Sequence, residues 1–487
     1  MSSREADEVP ILADTSAISR TDNPNKINRG GTSRIECLDL LRGLIMLVMA
    51  WDHVKDGLLV TMPVSAFQYW CGPYADFDDN IGYFIARWVS NICAPGFFYT
   101  MGIGMVMYTQ SRLRKGQTTV SIILHFALRG VVLLFVGRWI NIPGMFANLV
   151  DYSYGLPVPA PLVGGNMTLP QIVQFGCSGI YQVMEALAFT MMIAGLLVCE
   201  VVRRPRVGVS LCFVAGLGCF IISNAYIIDN QGDPISTITA PFPRCYAPVN
   251  TFGEVLTRIF VAPGVMNPMS LYIYPVVPWI GITLFGFAHG IWFLKDPDRA
   301  AYGSWMIAGG TLSLFCVLRA GGGVLGNLRG PPRGEKPAMY VNGFISALNV
   351  TKYPPSPTYF LFTISIDMLL LWMLHSISQW LVFQPVASQV SNINESSEGS
   401  GSTLRRFLDN ALQFLLIFGR VPLFFYAWHF WVIGITGMVF HLVHVRGLQY
   451  WQLPFVWLFV ILVMVVPCRM FAAFKATTAP TSLWRLF

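Results

Sequence analysis

Charge is what this chain of 487 residues has least of: 12% is Asp, Glu, Lys or Arg, against 54% hydrophobic residues. Ordinary soluble domains carry about a quarter charged residues, so this composition, with a mean hydropathy of +0.55, excludes a water-soluble fold. Metal and redox spacings are missing too. The ten cysteines contain no Cys-x-x-Cys pair and no Cys/His cluster at zinc spacing, so no metal is expected. Residues 1–34 lack the apolar core of a cleaved signal peptide and read as a disordered cytosolic tail. The net charge of +7 is modest and sits in short loops, which excludes nucleic acid as a partner. No internal repeat is visible, which opposes a transporter built from duplicated halves.

What the chain has instead is apolar runs. They lie near 38–60, 83–108, 120–140, 176–200, 207–227, 271–294, 301–319, 358–382, 421–442 and 453–473, each about 20 residues and long enough to span a bilayer as a helix. The expected fold is an all-α, polytopic transmembrane helical bundle of about ten spans over 35–487, with a Ser/Gly-rich cytosolic linker at 384–408. Lipid is its first partner, and self-association into a homo-oligomer is compatible with such a bundle. Basic residues gather in alternate short connections: Arg112, Arg114 and Lys115; Arg203, Arg204 and Arg206; Lys295 and Arg299; Arg405 and Arg406; Arg469, Lys475 and Arg485. The positive-inside rule puts these connections and both termini in the cytosol.

The opposite connections, 61–82, 141–175, 228–270 and 320–357, are long and rich in Pro, Gly and aromatic residues. They are expected to form a structured cap on the outer or lumenal side. Asn166 and Asn349 open N-x-Thr sequons there, with Asn166 favoured for glycosylation because it lies away from a helix entrance. The sequon at Asn394 falls in the cytosolic linker. Cys71 and Cys245 could pair if those loops face an oxidising compartment. An endomembrane of vacuolar, lysosomal, ER or Golgi type and the plasma membrane both fit.

Ionisable groups cost about 2.5–3.5 kcal/mol each inside a bilayer, so those present need partners or a task. The first span carries Asp39 and Arg42 on one face near its cytosolic end, where they can simply pair. Asp52, His53, Lys55 and Asp56 follow near its outer end. A histidine with a carboxylate neighbour suits general-base work. Adjacent helical residues point about 100° apart, so the partner of His53 is expected from elsewhere in the fold. The alternative is a polar helix end that meets water. Arg87, Asn91, Arg138, Gln182, Glu185, Arg319 and Lys352 all fall towards the outer leaflet and together could line one polar cavity. Arg129, Asp367 and His429 fall mid-span, and Arg129 is expected to pair with a buried carboxylate for assembly. His441 and His444 stand i, i+3 without a carboxylate beside them, too little for a metal site.

Several segments resemble one family. Arg34-Ile35-Glu36-Cys37-Leu38-Asp39-Leu40-Leu41-Arg42-Gly43-Leu44, followed by Met49-Ala50-Trp51-Asp52-His53-Val54, resembles the opening helix of the heparan-α-glucosaminide N-acetyltransferase catalytic family. In the same order, Ala94-Pro95-Gly96-Phe97-Phe98 through Met101-Gly102 resembles its second helix. Tyr274-Pro275-Val276-Val277-Pro278-Trp279-Ile280-Gly281 resembles its Pro-Trp helix, and Asn349-Val350-Thr351-Lys352-Tyr353-Pro354-Pro355-Ser356 its most recognisable loop. Phe418-Gly419-Arg420-Val421-Pro422-Leu423-Phe424-Phe425-Tyr426 keeps the Tyr-x-x-His spacing to His429, and Cys468-Arg469 with Lys475 resembles the closing segment.

The resemblance implies transfer of an acetyl group from cytosolic acetyl-CoA to an acceptor, often a sugar amine, across the membrane. The lysosomal enzyme carries a reactive histidine in the loop after its first helix, whereas 61–82 here contains none, which moves the expected base to His53. A short tail also stands where that enzyme has a lumenal domain. Acyl transfer needs a base and donors for the developing oxyanion. His53 is the candidate base, with Asp52 and His429 as further catalytic candidates. Arg87, Asn91, Glu185, Trp279, Arg319 and Lys352 are candidates for acceptor binding. The phosphates of coenzyme A favour Arg at cytosolic helix ends, here Arg42, Arg112, Arg114 and Arg420, which could equally be topology anchors that snorkel. A transporter that uses Arg129, Asp367 and Glu185 as relay positions, or a scaffold that has kept the fold without activity, are the alternatives.

Overall fold

The computed structural model describes residues 35–58, 80–155, 158, 165–230, 249, 251–267, 269–322, 325, 343–391, 400–443, 448–479 and 482–486. Cys71, Cys245, the Asn394 sequon, His444, most of the 61–82 connection and the 1–34 tail lie outside them. The described residues are mainly helical, in the order α1 (Glu36–Leu58), α2 (Ile81–Trp88), α3 (Cys93–Arg114), α4 (Thr119–Trp139), α5 (Ile142–Ser153), α6 (Leu169–Ser178), α7 (Val183–Arg203), α8 (Pro205–Asn230) and α9 (Phe252–Phe260). Then come α10 (Val276–Lys295), α11 (Pro297–Gly321), α12 (Gly343–Leu348), α13 (Pro357–Ser391), α14 (Ser400–Gly419), α15 (Pro422–Leu442) and α16 (Leu453–Thr477).

Nine helical stretches among the described residues are long and apolar enough to cross a membrane. They coincide with nine of the ten expected runs. α4 shows why lipid must surround them: Val120, Leu124, Leu128, Val131 and Phe135 are all exposed on one face at helical spacing, a stripe that water would not tolerate. α8 and α16 expose similar rows. The protein is therefore a multi-pass membrane protein.

The tenth run, α1, has the length to span, 23 residues, but is the most charged. Its charges are carried in the middle of the bundle. α1 packs against α3, α13, α14, α15 and α16, and only Asp56 and Gly57 along it are exposed. Close backbone approaches hold this core. A Cβ on Gly43 would overlap the Leu415 carbonyl and one on Gly419 the Asp39 carbonyl, so α14 lies directly on α1. Gly102 of α3 and Gly286 of α10 oppose one another in the same way, a small-residue contact typical of membrane helices.

Two expected boundaries change. The 384–408 linker is largely helical: α13 runs on to Ser391 and α14 starts at Ser400. α14 is amphipathic and stretches from α13, where Arg405 donates to the Leu381 carbonyl at 3.0 Å, to the N-terminal half of α1. Its alternation of apolar with charged residues does not resemble a span, which is why it reads as a linker. The run at 176–200 is two elements, because Glu185 accepts from the Gln182 N–H at 2.8 Å and starts α7 afresh.

The described parts of the long connections form structure. α5, α6 and α9 accompany a small sheet of β1 (Ile180–Tyr181), β2 (Gly264–Asn267) and β3 (Ser270–Tyr272) in the order β1-β3-β2. β1 is parallel to β3, with Ile180 opposite Leu271, and β2 is antiparallel to β3. The run at 271–294 therefore begins as a strand, and its helix starts only at Val276.

Candidate functional site

The outer half of α1 and the first turns of α15 bring the catalytic candidates together. Asp52 and Lys55 share a face of α1, and Lys55 Nζ lies 2.5 Å from Asp52 Oδ1 and 3.1 Å from Asp56 Oδ1. Arg87 of α2 donates to both Asp52 oxygens at 3.2 and 3.4 Å and to Ser90 Oγ at 3.1 Å. Asp52 is thus held by two cations and is a structural hub. It does not orient His53, whose side chain points around the helix from it.

The partner of His53 is a second histidine. His53 Nδ1 lies 2.7 Å from His429 Nε2, and His429 Nδ1 lies 2.9 Å from the Phe425 carbonyl. A carbonyl only accepts, so His429 Nδ1 carries hydrogen, its Nε2 accepts, and His53 Nδ1 donates. That assignment leaves the lone pair on His53 Nε2, for which no described residue supplies a partner. His429 is fully buried while His53 is half-buried. The pair therefore presents one basic nitrogen outward and keeps the rest of the relay dry.

One phenol stands against the pair, and further phenols with an indole form a buried network of their own. Tyr426 stands edge-on to His53 with ring centroids 6.0 Å apart. Tyr274 and Tyr353 share a hydrogen bond between hydroxyls at 3.2 Å. Trp279 stacks on Phe98 at 4.7 Å and approaches Tyr274 at 5.1 Å. Tyr359 donates to the Asn91 carbonyl at 2.7 Å. Among these buried groups, Asn91 Nδ2 and Oδ1, Trp279 Nε1, Tyr426 Oη and Thr351 Oγ1 have no protein hydrogen-bond partner. Burying such a group unpaired costs about 1–3 kcal/mol, and of these the Tyr426 hydroxyl belongs to a ring that stands against His53.

The remaining outer candidates divide. Lys352 is buried beside the cluster, its Nζ 5.2 Å above the Tyr353 ring. Glu185 and Arg319 are engaged elsewhere, contrary to expectation. Glu185 pairs with Arg138 and caps α7, and this ion pair anchors the outer end of α4 to β1 through the Ile180 carbonyl. Tyr272 lies near it on β3, outside the spans, where burial first and the Glu185 carboxylate second push its phenol well above the usual tyrosine range. Arg319 donates to the Ala347 and Asn349 carbonyls at 2.9 and 3.1 Å, so it holds the loop that carries Lys352. Asn166 is exposed, whereas Asn349 is 5% exposed, a burial that does not suit a glycan.

A second cluster lies at the N-terminal half of α1. Arg42 contacts Asp39 at 3.3 Å, as expected, and donates to the Thr100 carbonyl at 3.0 Å. Arg129 lies within electrostatic range of Arg42 and has no carboxylate partner among the described residues, so the expected assembly pair is absent. Arg112 sits over the Tyr108 ring at 4.8 Å, and that ring stacks on His125 at 4.2 Å. Arg114 and Arg420 are exposed. Between the clusters, Asp367 of α13 is fully buried beside Gly96 and Ile45, and neither oxygen has a hydrogen-bond partner. No grouping of His, Cys, Asp and Glu among the described residues could hold a metal.

Sequence reasoning missed Lys55, Tyr426, Tyr353 and Tyr359 as parts of the site. The i, i+3 spacings Asp52–Lys55 and Tyr426–His429 were the available signals. No protein-family model matches the chain, and no curated protein matches it.

Proposed function

We propose that the protein is a membrane acyltransferase that moves an acetyl group from cytosolic acetyl-CoA to an acceptor amine or hydroxyl on the outer or lumenal side. The observation that carries this reading is the His53–His429 relay, which ends in a free Nε2, with the unpartnered buried hydroxyl of Tyr426 on a ring against His53. The segmental resemblance to the acetyltransferase family supports it from the sequence side. α1 is the tenth span in this reading, both termini are cytosolic, and the acceptor is a sugar amine or a similar nucleophile.

The steps follow from the residues. His53 Nε2 takes the proton of the acceptor as its nitrogen or oxygen attacks the thioester carbonyl, and the positive charge is shared with His429 through the bond between the rings. Asn91 Nδ2, Trp279 Nε1 and the Tyr426 hydroxyl are the donors available to the carbonyl oxygen as it becomes an oxyanion. The C–S bond then breaks, the acetyl group stays on the acceptor, and His53 returns the proton to the coenzyme A thiolate. Arg42, Arg112 and Arg129 are the residues suited to the phosphates, since their charge exceeds that of Asp39. Arg42 and His53 are 11 residues apart on α1, about 16 Å by helical rise, a distance an extended thioester arm can bridge.

Purified protein incubated with acetyl-labelled acetyl-CoA and a panel of amines and sugars should transfer or hydrolyse the label, and His53→Gln should abolish this. Complete inertness of wild-type protein towards the thioester would overturn the reading. A transporter is the second reading, and the unpartnered carboxyl of Asp367 favours it, because such a group mid-membrane serves proton or ion relays. In that case Asp367→Asn would abolish uptake into vesicles while acetyl-CoA is left untouched.

A further inference from the structure

We infer that the groove between α11 and α13 is a binding site for a sterol, which lies along the two helices with its one hydroxyl at His375 and Ser376. The site is separate from the histidine pair and does not depend on the acyltransferase reading.

α11 and α13 run antiparallel, with Phe315 against Phe362 at one end and Tyr302 against His375 at the other, ring centroids 4.6 and 4.8 Å apart. Between these contacts the helices enclose a cavity of about 470 Å³, within the range of about 300–1,000 Å³ that small ligands occupy. Its floor is low because Gly309 lines it, and nothing lies within 4 Å of where a Cβ on Gly309 would be. Trp305 and Trp372 supply flat walls. Phe362, braced by Phe315 and by Trp88 at 5.1 Å, closes the far end. The one hydroxyl of the lining, on Ser365, is engaged with the Phe362 carbonyl at 2.7 Å. From Phe362 to Trp372 the groove is about 15 Å long by helical rise, half of a hydrocarbon core of about 30 Å. Trp305, Leu312 and Leu369 are exposed, so the groove opens sideways to the bilayer at the depth of a single leaflet.

One turn beyond Trp372 the character changes. His375 is 6% exposed, and its Nε2 and the buried Oγ of Ser376 have no hydrogen-bond partner among the described residues. Asp298 Oδ1 stands 3.8 Å from that nitrogen. Leaving two buried polar atoms unsatisfied is costly, and their place at the end of an apolar groove points to an apolar ligand with a polar tip.

Three features select the occupant. A hydroxyl both donates and accepts, so it satisfies the serine and the imidazole nitrogen in either tautomer. A phospholipid would bring its phosphate to the Asp298 carboxylate, where like charges repel. A fused ring system is already rigid and loses little freedom on binding, whereas a flexible acyl chain must be ordered along its length.

The test uses the full-length protein in phosphatidylcholine vesicles that contain a photoreactive cholesterol with a diazirine in its ring system, the adducts being mapped by mass spectrometry. Labelling should fall on α11 and α13 around Trp305 and Trp372. Excess cholesterol should suppress it at least tenfold more effectively than cholesterol methyl ether or dioleoylglycerol. Gly309→Phe, which fills the cavity, should abolish the labelling, and Ser376→Val should remove the advantage of cholesterol over its ether. The second variant decides the matter should the first fail to accumulate as folded protein. Suppression by dioleoylglycerol as strong as by cholesterol would mean that an acyl chain occupies the groove, and overturns the inference. Labelling unchanged in both variants, or adducts that join Trp305 to a second copy of the chain in place of the sterol, overturns it as well.

Discussion

His53 and His429, 376 residues apart in the chain, meet at 2.7 Å through Nδ1 and Nε2, and the Phe425 carbonyl fixes which of the four ring nitrogens is free to act as a base. The two histidines are therefore one unit with unequal members. In the proposed reaction His53 meets the acceptor, and His429 holds the tautomer and takes up part of the charge.

Their substitutions should differ accordingly. His53→Gln is expected to lower acetyl transfer about 100-fold to 10,000-fold, the usual range for a lost general base. His429→Gln should cost less, on the order of 10–100-fold, as orienting partners of a histidine do. The double variant should be little worse than His53→Gln alone, since the pair acts together. Rates measured on monodisperse protein decide it. Near-normal transfer by His53→Gln with none by His429→Gln would reverse the roles.

The two membrane arginines on α4 should respond in opposite ways. Arg138→Gln strands the buried Glu185 and is expected to cost about 3–5 kcal/mol, seen as a large fall in melting temperature in detergent. Arg129→Gln strands no carboxylate, so stability should hold or rise while the KM for acetyl-CoA increases. A comparable loss of stability in both would mean that Arg129 has an assembly role after all.

The crossing of α3 and α10 depends on the absence of side chains at Gly102 and Gly286. Gly286→Val should prevent accumulation of folded protein, because overpacking typically costs about 1–3 kcal/mol and the obstacle here is a backbone carbonyl that cannot step aside. Gly310→Val on α11, where nothing lies within 4 Å, is the control and should be silent. Expression and size-exclusion profiles of the two variants give the comparison.

Of the two outer sequons, only Asn166 is exposed. In a eukaryotic secretory host, glycosidase should increase gel mobility, and Asn166→Gln should remove that change while Asn349→Gln leaves it intact. A glycan on Asn349 would show that the 349–356 loop is far more open than its burial indicates.

The sequence by itself determined the membrane class and nine of the spans, because a run of about 20 apolar residues has few other stable environments and its backbone must be hydrogen-bonded within the run. It also singled out His53, His429, Asn91, Trp279 and Lys352, since polar residues among apolar ones stand out at any distance. Tertiary structure decided which of them meet. Asp52 is nearest to His53 in the chain yet serves Lys55 and Arg87, because neighbouring helical residues diverge, while His429 arrives from α15 through packing that no local pattern encodes. The surroundings of Glu185, Arg129 and Asn349 are not legible in the sequence for the same reason: whether a charge is paired, or an asparagine covered, depends on which surfaces the helices press together. α14 is not legible as a packed helix because its contact with α1, at Gly43 and Gly419, exists only once α1 is in place.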